Sequence, residues 1–167
     1  MAVFFTADTH FGHGGARALY RRPFESVAAM DAALVERWNA AVGPGDTVWH
    51  LGDVAWRPDP VRLAALLGTL NGIKHLIRGN NDGAATLRWP GWASVADYAE
   101  TELDGTGLVL CHYPFRSWRN AHRGWWNLHG HSHGRLKPLP RQADVGVDTR
   151  DFRPVTLDQI MGARRRR

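Results

Sequence analysis

Seven side chains with metal-binding chemistry lie along the chain in five groups: Asp8-Thr9-His10, Gly52-Asp53, Gly79-Asn80, His112 and Gly130-His131-Ser132-His133. Side chains at i and i+2 of an extended segment point the same way, so Asp8 and His10 can converge on one ion, and His131 and His133 can do likewise. The two oxygens of one carboxylate can each face a different cation, which makes Asp53 the natural bridging ligand. Asn80 offers a neutral carbonyl oxygen and His112 a ring nitrogen to a second ion. Oxygen and nitrogen donors without thiolate favour first-row ions with open coordination positions over a closed structural zinc site. Two divalent ions set against two aspartates leave a net positive site, which suits a phosphate anion. Paired ions about 3.5–4 Å apart can acidify a shared water and clamp both oxygens of an in-line displacement. These residues point to hydrolytic phosphoryl chemistry.

The elements that must position them can be read around each group. Val3 to Ala7 predicts a buried strand delivering Asp8 and His10 at its carboxyl end. Ser26 caps a helix in which Val27, Met30, Leu34, Trp38 and Val42 recur at three- and four-residue spacing, and Gly43-Pro44-Gly45-Asp46 stops it. Thr47 to Leu51 forms the strand before Asp53. A second helix starts near Pro60 and runs to about Leu70, where Asn71-Gly72 ends it. Lys74 to Arg78 is the strand before Asn80. The ligands thus gather at the carboxyl edge of a sheet, where open α/β folds place their sites. Further on, Ala93 to Leu103 and Leu108 to Cys111 read as a strand pair turning at Asp104-Gly105-Thr106-Gly107. Short strands at Trp126 to His129 and Asp144 to Val147 and a helix at Thr156 to Met161 complete the pattern.

The 167 residues suffice for one domain with a real core, taken here as residues 1–161 and followed by a basic, disordered tail over 162–167. The single cysteine, Cys111, excludes an intramolecular disulfide and makes a reducing cytoplasm the expected location. Beside His112 it reads as a buried strand residue rather than a nucleophile. Val3-Phe4-Phe5 is too short for a membrane span, and no membrane partner is expected. The net charge of +5 suggests a nucleic-acid binder until Arg164, Arg165, Arg166 and Arg167 are set aside, leaving a body of only +1. Nucleic acid is therefore a possible partner that the body charge does not indicate. Such binding would show strong salt dependence, lost on removing residues 164–167.

Taken together, the motifs resemble those of the calcineurin-like metallophosphoesterases, ordered D-x-H, G-D, G-N-H-[DE], H and G-H-x-H, over positions 8 to 133. Phe5 to His13, Arg22-Pro23-Phe24 and Val48 to Asp53 are similar to a compact bacterial and phage branch. The resemblance implies a four-layer α/β/β/α sandwich with two central mixed β-sheets. It assigns Asp8, His10, Asp53 and His133 to one divalent ion, and Asp53, Asn80, His112 and His131 to the other. Manganese is the expected metal, with iron, zinc, nickel or cobalt as alternatives. It also implies direct attack by a metal-bridging hydroxide, without a phosphoenzyme.

One position departs from that pattern. The family has His after the metal-binding Asn, held by the next acidic residue, contacting phosphate and assisting the leaving group. Here the run is Gly79-Asn80-Asn81-Asp82. Asn81 can donate a hydrogen bond but cannot deliver a proton, and general-acid help contributes about 10²–10⁴-fold. Either leaving groups are good, or another donor substitutes. His13, three residues beyond His10, is the candidate; the alternative is a loop histidine bonded to backbone. Between His112 and His131 lie Arg116, Trp118, Arg119, His122, Arg123, Trp125 and Trp126, which could shape a site for a nucleotide-like ester or simply fill a core. Arg116 and Arg119 are candidate phosphate contacts, and Arg78 is either a phosphate contact or a salt-bridged strand residue. His50, His75, His122 and His129 fall outside the motifs and read as structural or surface groups. The expected activity is cleavage of phosphate diesters or activated monoesters. The rivals are a noncatalytic interaction scaffold and a nuclease or RNA-processing enzyme.

Overall fold

The structure, a computed structural model, describes residues 1–165, with side-chain surroundings through Gly162. Two mixed sheets pack face to face. In the first, β1 (Val3–Thr6), β2 (Thr47–His50), β3 (Ile73–Ile77) and β4 (Trp92–Ala96) are parallel, and β9 (Val155–Thr156) adds antiparallel to β1, giving the order β4-β3-β2-β1-β9. In the second, β5 (Tyr98–Leu103) is antiparallel to β6 (Thr106–Cys111), while β7 (Trp126–His129) and β8 (Gln142–Asp144) follow in parallel.

Period-two alternation splits β1 between two cores. Phe4 joins Val48, Leu76 and the buried face of α2 (Val27–Ala41), where Met30, Leu34 and Trp38 repeat every four residues, together with Leu63 and Leu67 of α3 (Pro60–Gly68). Phe5 turns the other way, with Leu51 and Ile77, onto Leu108, Leu110, Leu128 and Ala143 of the second sheet. A buried ring such as Phe5 contributes on the order of 1.5–3 kcal/mol. The Ser26 side chain caps α2 by accepting from the Ala29 N–H at 3.0 Å, as its position predicts.

The layered α/β sandwich expected from the motifs is present, and its fourth layer is thin. The outer face of the second sheet is covered by the segment after β6, whose regular structure is one 3₁₀ turn, Ala121–Arg123. Trp125 lies on Gly107, where an added Cβ would come within 2.1 Å of the indole. Trp118 Nε1 donates to the Trp125 carbonyl at 2.9 Å, and Arg119 pairs with Glu100 and lies over Trp125.

Several elements differ from their sequence expectations. Ala93 to Leu103 is not one strand: the chain breaks at Asp97 and crosses from β4 in the first sheet to β5 in the second, with Arg78 bonded to both sides of the break through Ala96 O and Asp97 Oδ1. The turn is the tighter Asp104-Gly105 pair, both at positive φ (49° and 74°), with Leu103 facing Thr106. Two short helices, α1 (Gly14–Leu19) and α4 (Ala84–Leu87), lack sequence signals of their own. The last helix, α5 (Leu157–Arg165), runs past Met161 into the expected tail, and Arg166 and Arg167 lie outside the described residues.

His50 is structural. Thr9 Oγ1 donates to Val54 O at 2.8 Å and lies 3.0 Å from His50 Nε2, so it accepts the imidazole proton, and Nδ1 is left buried without a partner. Burial, with a smaller contribution from His112, pushes His50 down to about 3. Between that value and the ordinary 6.5 the unfolded chain binds the proton and the folded chain does not, so stability falls as pH falls through this window. From pH 6.5 to 4 the loss attributable to His50 is about 3 kcal/mol. In urea titrations His50→Gln, which keeps an N–H for Thr9, should flatten the acid limb by that amount; an unaltered slope would contradict the assignment.

Candidate metal centre

The carboxyl ends of β1, β2 and β3 deliver Asp8, Asp53 and Asn80, and those of β6 and β7 deliver His112 and the His131/His133 loop. Both sheets therefore open onto one edge, and the loops are tied across it. Asp8 N–H donates to Gly52 O at 2.9 Å, His10 N–H to Asp53 O at 3.1 Å and Gly130 N–H to His112 O at 3.0 Å, while the Asp8 carboxylate accepts the His131 N–H at 2.9 and 3.1 Å.

The i and i+2 pairs converge, but not through the pleat of an extended strand. Asp8, His10, Asp53, His131 and His133 all have left-handed backbone, with φ from 46° to 65°. Non-glycine residues held there cost about 1–3 kcal/mol each, and such conformations cluster at functional sites. The loops curl over the sheet edge and point the side chains back into one pocket.

The donors face each other at close range. Asp8, His10 and His133 offer ligand atoms all within 4.8 Å of one another, and so do Asp8, Asp53 and His112. Asp53 presents one oxygen to each side: Oδ2 is 3.6 Å from His10 Nε2 and Oδ1 is 3.6 Å from His112 Nε2. Asn80 Oδ1 lies 3.0 Å from His112 Nε2 and 2.9 Å from His131 Nδ1. All seven expected ligands thus enter one cluster. The fit to a cation is chemical as well as spatial. His10 Nε2 is buried with no hydrogen-bond partner. Burial, then the Arg22 and His133 charges, drive the His10 pKa down to about 2, leaving a neutral imidazole suited to a metal. Burial, then Asp144 and Asp53, lift Asp8 well above the carboxylate range.

Outer partners orient the ligands. His112 Nδ1 lies 2.7 Å from Leu51 O, leaving Nε2 as the free lone pair. His133 Nδ1 is 2.7 Å from Asp148 Oδ2, and Arg22 grips that carboxylate with Nε and a terminal nitrogen at 2.8 and 2.9 Å. Arg22 also donates to Asp8 O and Thr9 O at 2.6 and 2.8 Å. Burial alone would raise Asp148, but His133 and Arg22 outweigh it and hold its carboxyl below the ordinary range. Outer partners of this kind are worth about 10–100-fold in metal affinity. Asp148→Asn should therefore weaken Mn²⁺ binding by about that factor in calorimetric titration, and wild-type affinity in this variant would remove Asp148 from the site.

The remaining candidates divide. Asn81 donates to Asp53 with both its backbone N–H (2.8 Å, Oδ1) and its side-chain amide (2.5 Å, Oδ2), so it holds the central carboxylate. Asp82 does not hold residue 81. Its carboxylate accepts the N–H groups of Gly79, Asp53 and Val54 at 2.8–2.9 Å, knitting two ligand loops together as a positioning residue. His13 stands beside the cluster, its Nδ1 3.4 Å from His10 Nδ1 and its ring stacked on Trp56 at 4.4 Å; burial lowers its pKa. Arg78 turns to Asp97 at 2.8 Å in an exposed pair, and Arg119 to Glu100 on the outer face of the second sheet, so neither is gathered with the ligands. Arg116 is exposed on that covering segment. Sequence reasoning missed Asp148, Arg22 as its clamp, and Tyr20, which stacks on His133. No spacing rule links residues so far apart in the chain.

A family model described as Calcineurin-like phosphoesterase matches residues 1–167. Among curated proteins, the uncharacterized protein MJ1445 of Methanocaldococcus jannaschii is 30% identical, covering 95% of this chain and 89% of its own length. The Gene 66 protein of Mycobacterium phage D29 is 35% identical, covering 87% of each. Among solved structures, a protein of unknown function, AQ665 from Aquifex aeolicus, superposes with a TM-score of 0.78 at 22% identity, covering 96% of this chain and 98% of that one, which shows the shared fold.

Proposed function

Because the chain belongs to the calcineurin-like phosphoesterase family, and is therefore a metal-dependent hydrolase of phosphoric esters, we propose that it cleaves phosphate diesters, or monoesters with good leaving groups, at two divalent ions sharing Asp53. The observation that carries this reading is Asp53 itself, with one oxygen turned toward His10 and the other toward His112, each 3.6 Å away. Asp8, His10 and His133 would complete one ion's ligands, and Asn80, His112 and His131 the other's. Bound divalent ions supply Lewis-acid charge at the phosphoryl group and lower the pKa of a coordinated water.

The chain's own residues do the rest. Asp8 and Asp53 bring anionic charge, and the neutral histidines and Asn80 add none, so the loaded pocket keeps a positive balance for phosphate. Asn81 commits its backbone N–H and one amide N–H to Asp53, and an amide delivers no proton to a departing alkoxide. Burial favours the neutral form of His13, so less of it carries a proton to donate at neutral pH. Esters whose leaving oxygen is a poor base, and diesters in general, fit these properties. Nucleotide-derived esters fall in that class. Among the described residues no helix is long and apolar enough to cross a membrane. The lone buried Cys111, with its thiol pKa raised by burial, fits a reducing cytoplasm.

The test uses protein stripped of metal and reloaded with Mn²⁺, Fe²⁺, Zn²⁺, Ni²⁺ or Co²⁺. It is assayed with a nitrophenyl monoester, the matching diester, cyclic nucleotides, dinucleoside polyphosphates and short oligonucleotides. Metal-dependent turnover that favours the diester is expected, and silence across the panel with metal bound would overturn the reading. His13→Ala belongs in the same panel: equal loss at every leaving-group pKa would exclude an acid role.

A further inference from the structure

Tyr20 closes α1, the short helix that His13 opens, so the two residues bracket a segment lying against the ligand His10. The Tyr20 ring is stacked on His133, with centroids 3.4 Å apart and planes 9° from parallel, and its centroid is 5.6 Å from that of His10. Arg135 anchors it, with its guanidinium 5.3 Å from the ring centroid and a terminal nitrogen donating to Leu19 O at 2.5 Å. Arg22, the clamp of Asp148, is 5.7 Å from the same centroid.

The ring is thus fixed on two metal ligands, yet its hydroxyl makes no hydrogen bond among the described residues. A half-buried phenol O–H that is given to no protein acceptor, inside the field of Asp8 and Asp53, is a donor free to turn to a bound anion. A phosphate held over the cluster would bring such acceptors, while Asn81 gives its backbone N–H and one of its two amide N–H groups to Asp53. We propose that Tyr20 is a substrate-contacting residue of this site, donating its phenol O–H to a non-bridging phosphoryl oxygen while its ring holds His133 in place. This rests on the phosphoesterase reading above and adds to it a donor from α1, outside every metal motif.

The two parts of the role separate in two variants. Tyr20→Phe keeps the stacked ring and removes the hydroxyl; Tyr20→Leu removes both. Inorganic phosphate and Mn²⁺ serve as probes, with binding followed by calorimetry on the full chain, so that the outcome does not depend on finding the right ester. Tyr20→Phe should bind Mn²⁺ as wild type does and inorganic phosphate about tenfold or more weakly, as for loss of one hydrogen bond to a charged group. Tyr20→Leu should in addition lose about tenfold in Mn²⁺ affinity, because His133 then keeps only Asp148 of its two supports. Wild-type phosphate affinity in Tyr20→Phe, or Mn²⁺-loaded wild type that binds no phosphate, overturns the proposal. Protein that binds phosphate through Tyr20 and yet cleaves no ester would overturn the esterase reading and leave this contact standing.

Discussion

Replacing Asp53 by Asn is expected to lower kcat/KM by about 10³-fold or more while leaving the metal-free protein at least as stable as wild type. Both halves follow from where the carboxylate sits. Asp53 is buried between His10 and His112 and is one of the charges that push the Asp8 pKa up, so in the absence of metal it is a source of repulsion. Removing its charge relieves Asp8, and the amide can still accept from Asn81. With metal the balance reverses. An ion present at about 100 times its dissociation constant stabilises the fold by about 2.7 kcal/mol, which in a domain of this size is a Tm rise of about 5–10 °C. Wild type should show that rise with Mn²⁺, and Asp53→Asn should lose most of it. A variant that keeps its full metal-dependent rise and its turnover would show that Asp53 is not shared between ions.

Gly52→Ala should be a severely damaging addition of one methyl group, lowering stability by about 2–5 kcal/mol and activity by about 10²-fold or more. Gly52 has φ of 90°, where a side chain is strained whatever the space around it. There is no space either: an added Cβ would lie 2.6 Å from Gly79 N and Cα and 2.7 Å from His112 Nδ1. Backbone cannot yield as a flexible side chain can, so relief must come from moving Gly79, which carries Asn80, or His112. Either movement displaces a ligand. Gly83→Ala is the control, since its backbone φ is −85° and nothing lies within 4 Å of the new methyl group. Thermal melts and Mn²⁺-dependent turnover of the two variants should diverge sharply. Equal behaviour would mean that the loops are softer than their packing implies.

The two variants probe opposite aspects of one design. The ligand loops are strained at five left-handed residues, crowded with acid and held by cross-loop hydrogen bonds that the Asp82 and Asp8 carboxylates accept and Arg22 donates. Local strain and like-charge crowding oppose folding of the metal-free chain, and cation binding offsets them.

How much of this was legible in the sequence depends on the range of the interactions involved. The seven candidate ligands could be read because donor type is a property of each residue, and because hydrophobic periodicity announces the strands and helices between them. Met30, Leu34 and Trp38 on one helix face, Ser26 as its cap and Asp104-Gly105 as a hairpin turn are local signals, and local physics realised them. Two mixed sheets were implied only by the resemblance, and the strand that crosses between them at Asp97 gave no warning, because nothing in its own pattern distinguishes a long strand from two short ones. The commitment of Asn81 to Asp53 and of Asp82 to three backbone N–H groups also waited for coordinates, as did Asp148 gripping His133 from 15 residues away and Arg22 from 126. Sequence alone determined which atoms could bind metal and at which strand ends they would stand. Tertiary structure decided which of them face one another, what holds them and which hydroxyl is left free, since those are facts about distance between segments that the chain brings together only by folding.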